Sequence, residues 1–360
     1  MEDIATDNGA LSESVVFLNY FSDMPDPRQR GKVMYPLDEV LLLALLAVLA
    51  GADSFVEIAR FGCKKRELLR RFRPYLDGTP SHDHLGDIFA ALDPAHFQRC
   101  FVAWAGSLIG VLQGVVAIDG KTVRRSGGKA GKGAVHMVSA FAAGQRLVLG
   151  QVKVAEKSNE IVAIPKLLDM LVVDGAIITI DALGCQRAIA RKIVDKKADY
   201  VFGLKGNQGS LREDVEVFVA EQKAKNFKDT TISEAETIDA DNGRIETRTV
   251  TVIHDITWLQ ERHGWPGLKA IAIVESTRET KGVIERDTRF YITSLVKLAH
   301  LLGPVIRSHW AIENSLHGVM DMVFRDDECR VRITHAPTNF TTIKHMACNL
   351  LRRPTGKDSL

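Results

Sequence analysis

Hydrophobic and polar positions change their period near residue 110 of this chain. From Ser14 to Arg99 apolar residues recur three and four apart, the spacing of an amphipathic helix. The run "PLDEVLLLALLAVLAG" is opened by Pro36 and closed by Gly51, and "SFVEIARFGCKKRELLRRF" follows it in the same pattern. "DGTPSHDHLGDIF" predicts a loop and then a helix start capped by Ser or Asp. From Gly114 the apolar runs shorten and become strand-like. "VVAI" at 115–118, "VHMVSAFAA" at 135–143 and "RLVLGQVKVA" at 146–155 predict three strands, the first two joined by a basic glycine-rich loop. "NEIVAIPKLLDML" predicts a helix and "AIITI" at 176–180 a fourth strand. A helix from about Gln186 to Lys196 and a strand "YVFGL" at 200–204 follow. After a helix ending near Gln222, alternation in "RIETRTVTVIH", an apolar run in "LKAIAIVES" and alternation in "TRFYITSL" predict a β-rich insert. The helical pattern resumes near Leu295 and runs, past a loop near 326–338, to "IKHMACNLLRR".

These changes of pattern predict a helical N-terminal domain over 12–100, an α/β core over 112–205 and 295–353, and a β-rich insertion over 206–294. The 360 residues are long enough for two or three such units. Lys and Arg number 47 against 45 Asp and Glu, so no global field announces a nucleic acid and local clusters must carry that case. Two clusters do. Seven basic residues against one Glu lie between Arg60 and Arg73, a solvated face or a phosphate-contacting one. Five more, Lys121, Arg124, Arg125, Lys129 and Lys132, follow Asp119 with no acid among them. This second stretch is either a solvated hairpin or a clamp on a DNA backbone, binding phosphates without reading sequence. Its glycines lack the G-x-x-x-x-G-K-[ST] spacing of a nucleotide loop. Five cysteines without a C-x-x-C pair argue against a disulfide framework or a thiolate zinc site and fit a reducing cytoplasm. The most apolar run, from Val40, is too short to span a bilayer and predicts a buried core helix.

Two strands share one design. "VVAIDG" ends on Asp119 and "IITIDA" on Asp181, each acid one step past the last apolar position. Neighbouring strands of this kind bring both carboxylates to one sheet edge, where a divalent cation relieves their repulsion. Mg²⁺ suits such oxygen ligands, and a pair of ions serves in-line phosphoryl displacement. A third carboxylate is expected, and Glu313 is the candidate. It lies beside a predicted helical stripe of Ile312, Leu316, Val319 and Val323, with His309 and His317 four residues away on either side.

"AIDGKTVRRS", "EKSNEIVAIPKLLDML", "ITIDALGCQ", "YVFGLKGNQ" and "RSHWAIENSLHGVMDMVFRDDECRVR" together resemble the DDE-type transposases of bacterial insertion sequences, in particular the subgroup that includes the H-repeat-associated proteins. The resemblance runs through nearly the whole chain, and the first 100 residues are similar to that subgroup's N-terminal associated domain. It implies an α/β, ribonuclease H-like catalytic core with a β-strand insertion. It implies a catalytic and metal-binding triad of Asp119, Asp181 and Glu313 holding two Mg²⁺, with Mn²⁺ able to substitute. It also implies double-stranded DNA as partner, a homodimer on DNA, no membrane, and a cytoplasmic, nucleoid-associated location. The expected DNA contacts are Lys121, Arg124, Arg125, Lys205, Asn207, Arg307 and His309. In one respect the chain departs from its wider relatives. Their Tyr-x2-Arg-x3-Glu-x6-Lys signature, registered on Glu313, falls on Ile306, His309 and Met320. Either Arg307 and His309 take over those contacts or the chain is a catalytically silent DNA-binding remnant; a nuclease of the same fold without strand joining is a third reading. The H-x3-E-x3-H face offers a zinc alternative, although its spacing is not that of zinc proteases. Glu160 is expected to cap its helix, Lys205 and Asn207 can equally form a turn, and Trp310 is expected to pack in the core or to stack on a displaced base.

Overall fold

The computed structural model describes residues 8–126, 134–154, 160–241 and 244–352. The glycine-rich part of the basic loop, with Lys129 and Lys132, lies outside them, as does the side chain of Arg125. Five helices come first: α1 (Asn8–Phe21), α2 (Leu37–Leu49), α3 (Phe55–Leu69), α4 (His82–Ala91) and α5 (Pro94–Ile109). Ser54, Ser81 and Asp93 cap α3, α4 and α5 through their side chains, each satisfying one of the free N–H groups of a helix start. The apolar helix read from Val40 is α2, buried from Glu39 to Leu45 and again at Ala47 and Val48.

Among the described residues nine strands form a single sheet. They are β1 (Val115–Val123), β2 (Val135–Ala142), β3 (Leu147–Val154), β4 (Ile177–Ile180), β5 (Asp199–Leu204), β6 (Ile232–Asp241), β7 (Arg244–Ile253), β8 (Ala270–Thr280) and β9 (Val283–Thr293). Their order is β3-β2-β1-β4-β5-β9-β8-β7-β6. The first five, with β1, β4 and β5 parallel and β2 and β3 antiparallel, form a ribonuclease H-like α/β core. The predicted insert does not fold apart from this sheet: β9 pairs with β5 and the remaining three strands continue outward as an antiparallel meander.

Side chains alternate across β1. Val116 and Ile118 pack with helices α6 (Glu160–Met170), α7 (Arg187–Asp195), α8 (Gly209–Ala224) and α9 (Thr257–His263) on one face. Ala117 packs on the other face, in a core that joins the N-terminal helices to α12 (Ala336–Arg352) and to Ile312, Leu316, Met320 and Phe324. The N-terminal helices and the sheet therefore share one core. α12 is buried from Ala336 to Asn349, and three of its polar residues tie it to its neighbours. Asn349 exchanges two hydrogen bonds with the Val148 backbone, Asn339 donates to the carbonyls of Phe89 and Leu92 behind α4, and Lys344 meets Asp326 at 3.0 Å.

Three local expectations are corrected. β1 does not end at Asp119 but continues to Val123, paired with β2. Gly120 is required by space: a Cβ there would stand 2.3 Å from Glu160 Oε1 and 2.6 Å from His136 Nε2. Among the described residues the Glu160 side chain makes no bond that caps its helix. It is buried against His136, Oε1 to Nε2 2.6 Å, and His136 Nδ1 lies 2.8 Å from Thr122 Oγ1. Nor does the stripe beyond Glu313 follow α-helical spacing, because residues Ile312–His317 form a π-helix between α10 (Ala299–Ser308) and α11 (Gly318–Met322). The wider turn advances the buried stripe in steps of four, Ile312, Leu316, Met320 and Phe324, and leaves Val323 exposed.

Candidate active site

The strand alternation that buries Ala117 points Asp119, two residues on, toward the same face. The parallel pairing of β1 with β4 puts Ile118 opposite Ile180, so Asp119 and Asp181 each stand one residue past a matched pair. Thr179, on the face that Asp181 shares by alternation, meets His309 Nδ1 through its Oγ1 at 3.1 Å. The helix α10 and the π-helix cross this face, so Glu313 enters the same space. A cavity of about 810 Å³ opens there, lined by Asp119, Asp181, Lys205, His309, Trp310 and Glu313 among others.

Within it, oxygens of Asp119 and Glu313 and a nitrogen of His317 lie within 4.8 Å of one another. Asp181 lines the cavity without joining this tight group, and its Oδ1 accepts N–H bonds from Leu183 and Gly184 at 2.9 and 3.3 Å. Asn207 donates to Ala182 O at 2.6 Å, bracing the turn after Asp181 against the end of β5. Burial pushes the Asp119 carboxyl up to about 8, and the Glu313 and Asp181 carboxylates push the same way against the backbone N–H of Gly120. Glu313 is held down to about 2, first by His317 beside it and then by Asp119. The pair thus holds a proton on the deeper Asp119, as expected of two acids in contact of which one is buried. Burial lowers His309, which keeps its imidazole neutral despite Asp181 and Glu313 nearby. Two carboxylates in contact, one of them forced to keep a proton, are the donor set a divalent cation fits, since an ion replaces that proton.

The basic residues divide. Lys121 forms an ion pair with Asp321 and donates to the His317 carbonyl at 3.1 Å, which ties β1 to the Glu313 helix. Arg124 stays exposed and meets Asp327 at 3.4 Å. Arg307 pairs with Asp239 at the tip of β6, away from the acids. Lys205 lines the acidic cavity. Ile306 and Met320, at two of the signature positions, are core residues. Trp310 is part-exposed rather than core, with the guanidinium groups of Arg248 and Arg289 over its ring at 5.7 and 5.2 Å. Sequence reasoning missed Arg289, which lines this cavity and a second of about 760 Å³ beside the meander. The only signal was the alternation of "TRFYITSL", which sets Arg289 and Tyr291 on one face of β9.

The family model described as a transposase DDE domain matches residues 112–350, and one described as DDE_Tnp_1-associated matches residues 18–105. YncI of Escherichia coli O157:H7, which carries a transposase name, is 41% identical over 93% of this chain and 87% of its own length. The H repeat-associated YhhI of Escherichia coli (strain K12) is 37% identical over 93% of this chain and 89% of its own. Among solved structures, a piggyBac transposase synaptic complex with hairpin DNA is similar at a TM-score of 0.41 and 10% identity, over 97% of this chain and 80% of that one. With the domain model spanning the whole sheet and the helices that carry Glu313 and Asn349, the chain belongs to the DDE transposase family.

Proposed function

We propose that the chain is a Mg²⁺-dependent DNA transposase that hydrolyses a phosphodiester at the ends of an insertion sequence and joins the freed 3′-hydroxyl to target DNA. The observation that supports this reading is the meeting of Asp119, Asp181 and Glu313, distant in sequence, at one cavity where burial, reinforced by the neighbouring acids, keeps a proton on Asp119. Asp119, Asp181 and Glu313 would hold two ions, with Mn²⁺ able to substitute. When bound, such ions polarise the phosphoryl oxygens and lower the pKa of an attacking water or hydroxyl.

The chain's own groups do the positioning. Asp119 must release its proton before it can act as a ligand, so the ion and the proton compete for this one carboxyl. Asp181 is oriented by two backbone N–H groups and by the Asn207 brace, and needs no further ordering when substrate enters. His309, neutral and fixed by Thr179, adds no positive charge that would compete with cations for Asp181 and Glu313. Lys205 and Arg289 stand on the cavity wall where phosphates flanking the reacting bond would lie, and the exposed Arg124 would add a further contact to the DNA backbone. Backbone contacts of this kind hold DNA in register without specifying sequence. Because little covalent chemistry falls to protein groups, alignment and electrostatics carry the rate.

A plasmid carrying the DNA that flanks this gene tests the reading. Purified protein with Mg²⁺ or Mn²⁺ is expected to nick or cut at the element ends and give joined products, and chelator is expected to stop both. Cutting with no joining, even when pre-cut ends bearing a 3′-hydroxyl are supplied, would identify a nuclease. Tight DNA binding with neither product would identify a silent remnant.

A further inference from the structure

We propose that His317 is a metal ligand in its own right, through Nδ1, so that one cation position is an oxygen–oxygen–nitrogen set formed by Asp119, Glu313 and His317. The proposal rests on the metal-dependent reading of this site and adds to it a ligand outside the three carboxylates.

His317 is only 7% exposed, and among the described residues one of its ring nitrogens has no hydrogen-bond partner. Nε2 is buried without a partner. Nδ1 faces Asp119 Oδ2 at 3.7 Å and Glu313 Oε2 at 3.6 Å, too long for hydrogen bonds. The ring is thus held with Nδ1 between two carboxylates, where a cation shared by all three groups would meet it. The spacing suits an ion. Two ligand atoms each about 2.1 Å from a shared cation stand roughly 3.0–3.6 Å apart for angles between about 90° and 120°. The three donor atoms already lie within 4.8 Å of one another, so small side-chain movements close the set.

The backbone favours the same conclusion. Glu313 and His317 are four residues apart within the π-helix, and the wider turn keeps both against β1 while Leu316 and Met320 stay in the core. Lys121, two residues past Asp119, donates to the His317 carbonyl and fixes that turn on the strand that carries the deepest acid. Single π-turns of this sort recur at functional sites because they re-aim a side chain without breaking the helix.

A nitrogen donor changes which ion the site prefers. All-oxygen sets suit Mg²⁺, whereas an imidazole shifts preference toward Mn²⁺ and later transition ions. The full-length protein is therefore expected to bind Mn²⁺ more tightly than Mg²⁺. Mn²⁺ added to it is expected to show ¹⁴N modulation in its electron spin-echo signal, changed to a ¹⁵N pattern by ¹⁵N-histidine labelling. The modulation should persist in His309→Gln and vanish in His317→Gln, with Mn²⁺ affinity by calorimetry reduced at least about tenfold in the latter. If His317→Gln does not fold, the labelled wild type and His309→Gln still assign the signal. Mn²⁺ bound in an Asp119-dependent manner without nitrogen modulation would overturn this ligand assignment and leave the proposed function standing, as would modulation lost in His309→Gln alone. Mn²⁺ binding untouched by Asp119→Asn would overturn the metal site itself.

Discussion

At Asp119 a single side chain couples function to stability. Its carboxyl, near 3.8 in the unfolded chain and pushed up to about 8 in the fold, keeps a proton that the unfolded state gives up. The folded state then binds more protons between about pH 4 and pH 8, so metal-free stability falls as pH rises through that window. Asp119→Asn removes the penalty and is expected to raise the thermal midpoint of the metal-free protein at pH 8 relative to wild type, with a smaller gain at pH 5. Divalent ions should raise the wild-type midpoint and leave the variant unmoved; scanning fluorimetry with and without EDTA reads both. One residue on, Gly120→Ala sets a methyl group against the buried Glu160–His136 pair and should destabilise by about 1–3 kcal/mol in urea titrations, the usual range for overpacking. Of these facts the sequence disclosed the two aspartates, because an acid closing a buried apolar run is conspicuous. The demand for glycine left no local sign, since the partners that crowd it, His136 and Glu160, lie 16 and 40 residues away.

Among the elements, the π-helix over Ile312–His317 does the most to set the site. Deleting Asn314, exposed on that turn, would restore α-helical hydrogen bonding and shorten the spacing from Glu313 to His317 by one residue, changing where the imidazole stands relative to the carboxylate. The variant is expected to lose Mn²⁺ binding in calorimetry yet retain DNA binding in a mobility-shift assay. Strand and helix positions in the core were legible because their periods are plain: "AIITI" becomes β4 and "NEIVAIPKLLDML" becomes α6 with only end shifts. The helix of Glu313 was legible in kind but not in register. Both stripes, with Val319 or with Met320 after Leu316, fit an apolar face, and only packing against β1 and the N-terminal helices chooses between them. The Arg307 contact with Asp239 was hidden for a similar reason, as no local pattern tells which strand tip a helix will meet.

Across the molecule, the shared core predicts that the helices before residue 110 and the sheet unfold together. Their common surface is α12, whose Phe340, Ile343 and Ala347 belong to the core that also holds Phe55, Phe89 and Phe101. Urea unfolding followed by far-ultraviolet and near-ultraviolet circular dichroism is expected to give coincident single transitions, and a chain lacking residues 1–105 should be insoluble. Lys344→Met leaves Asp326 buried without its partner and should cost about 3–5 kcal/mol. Pattern along the chain could mark where helical and α/β regions begin, but not that they fuse, because the joining helix lies more than 200 residues away and its polar residues, Asn339, Lys344 and Asn349, do not read as core. The account as a whole stands on three carboxylates acting as one centre. Its most direct test is strand transfer of pre-cut element ends in Mn²⁺ by Asp119→Asn, Asp181→Asn and Glu313→Gln, each checked for unchanged DNA binding. Loss of at least about a thousandfold in all three is predicted, in line with removal of a unit that acts together; wild-type joining by any one of them would contradict it.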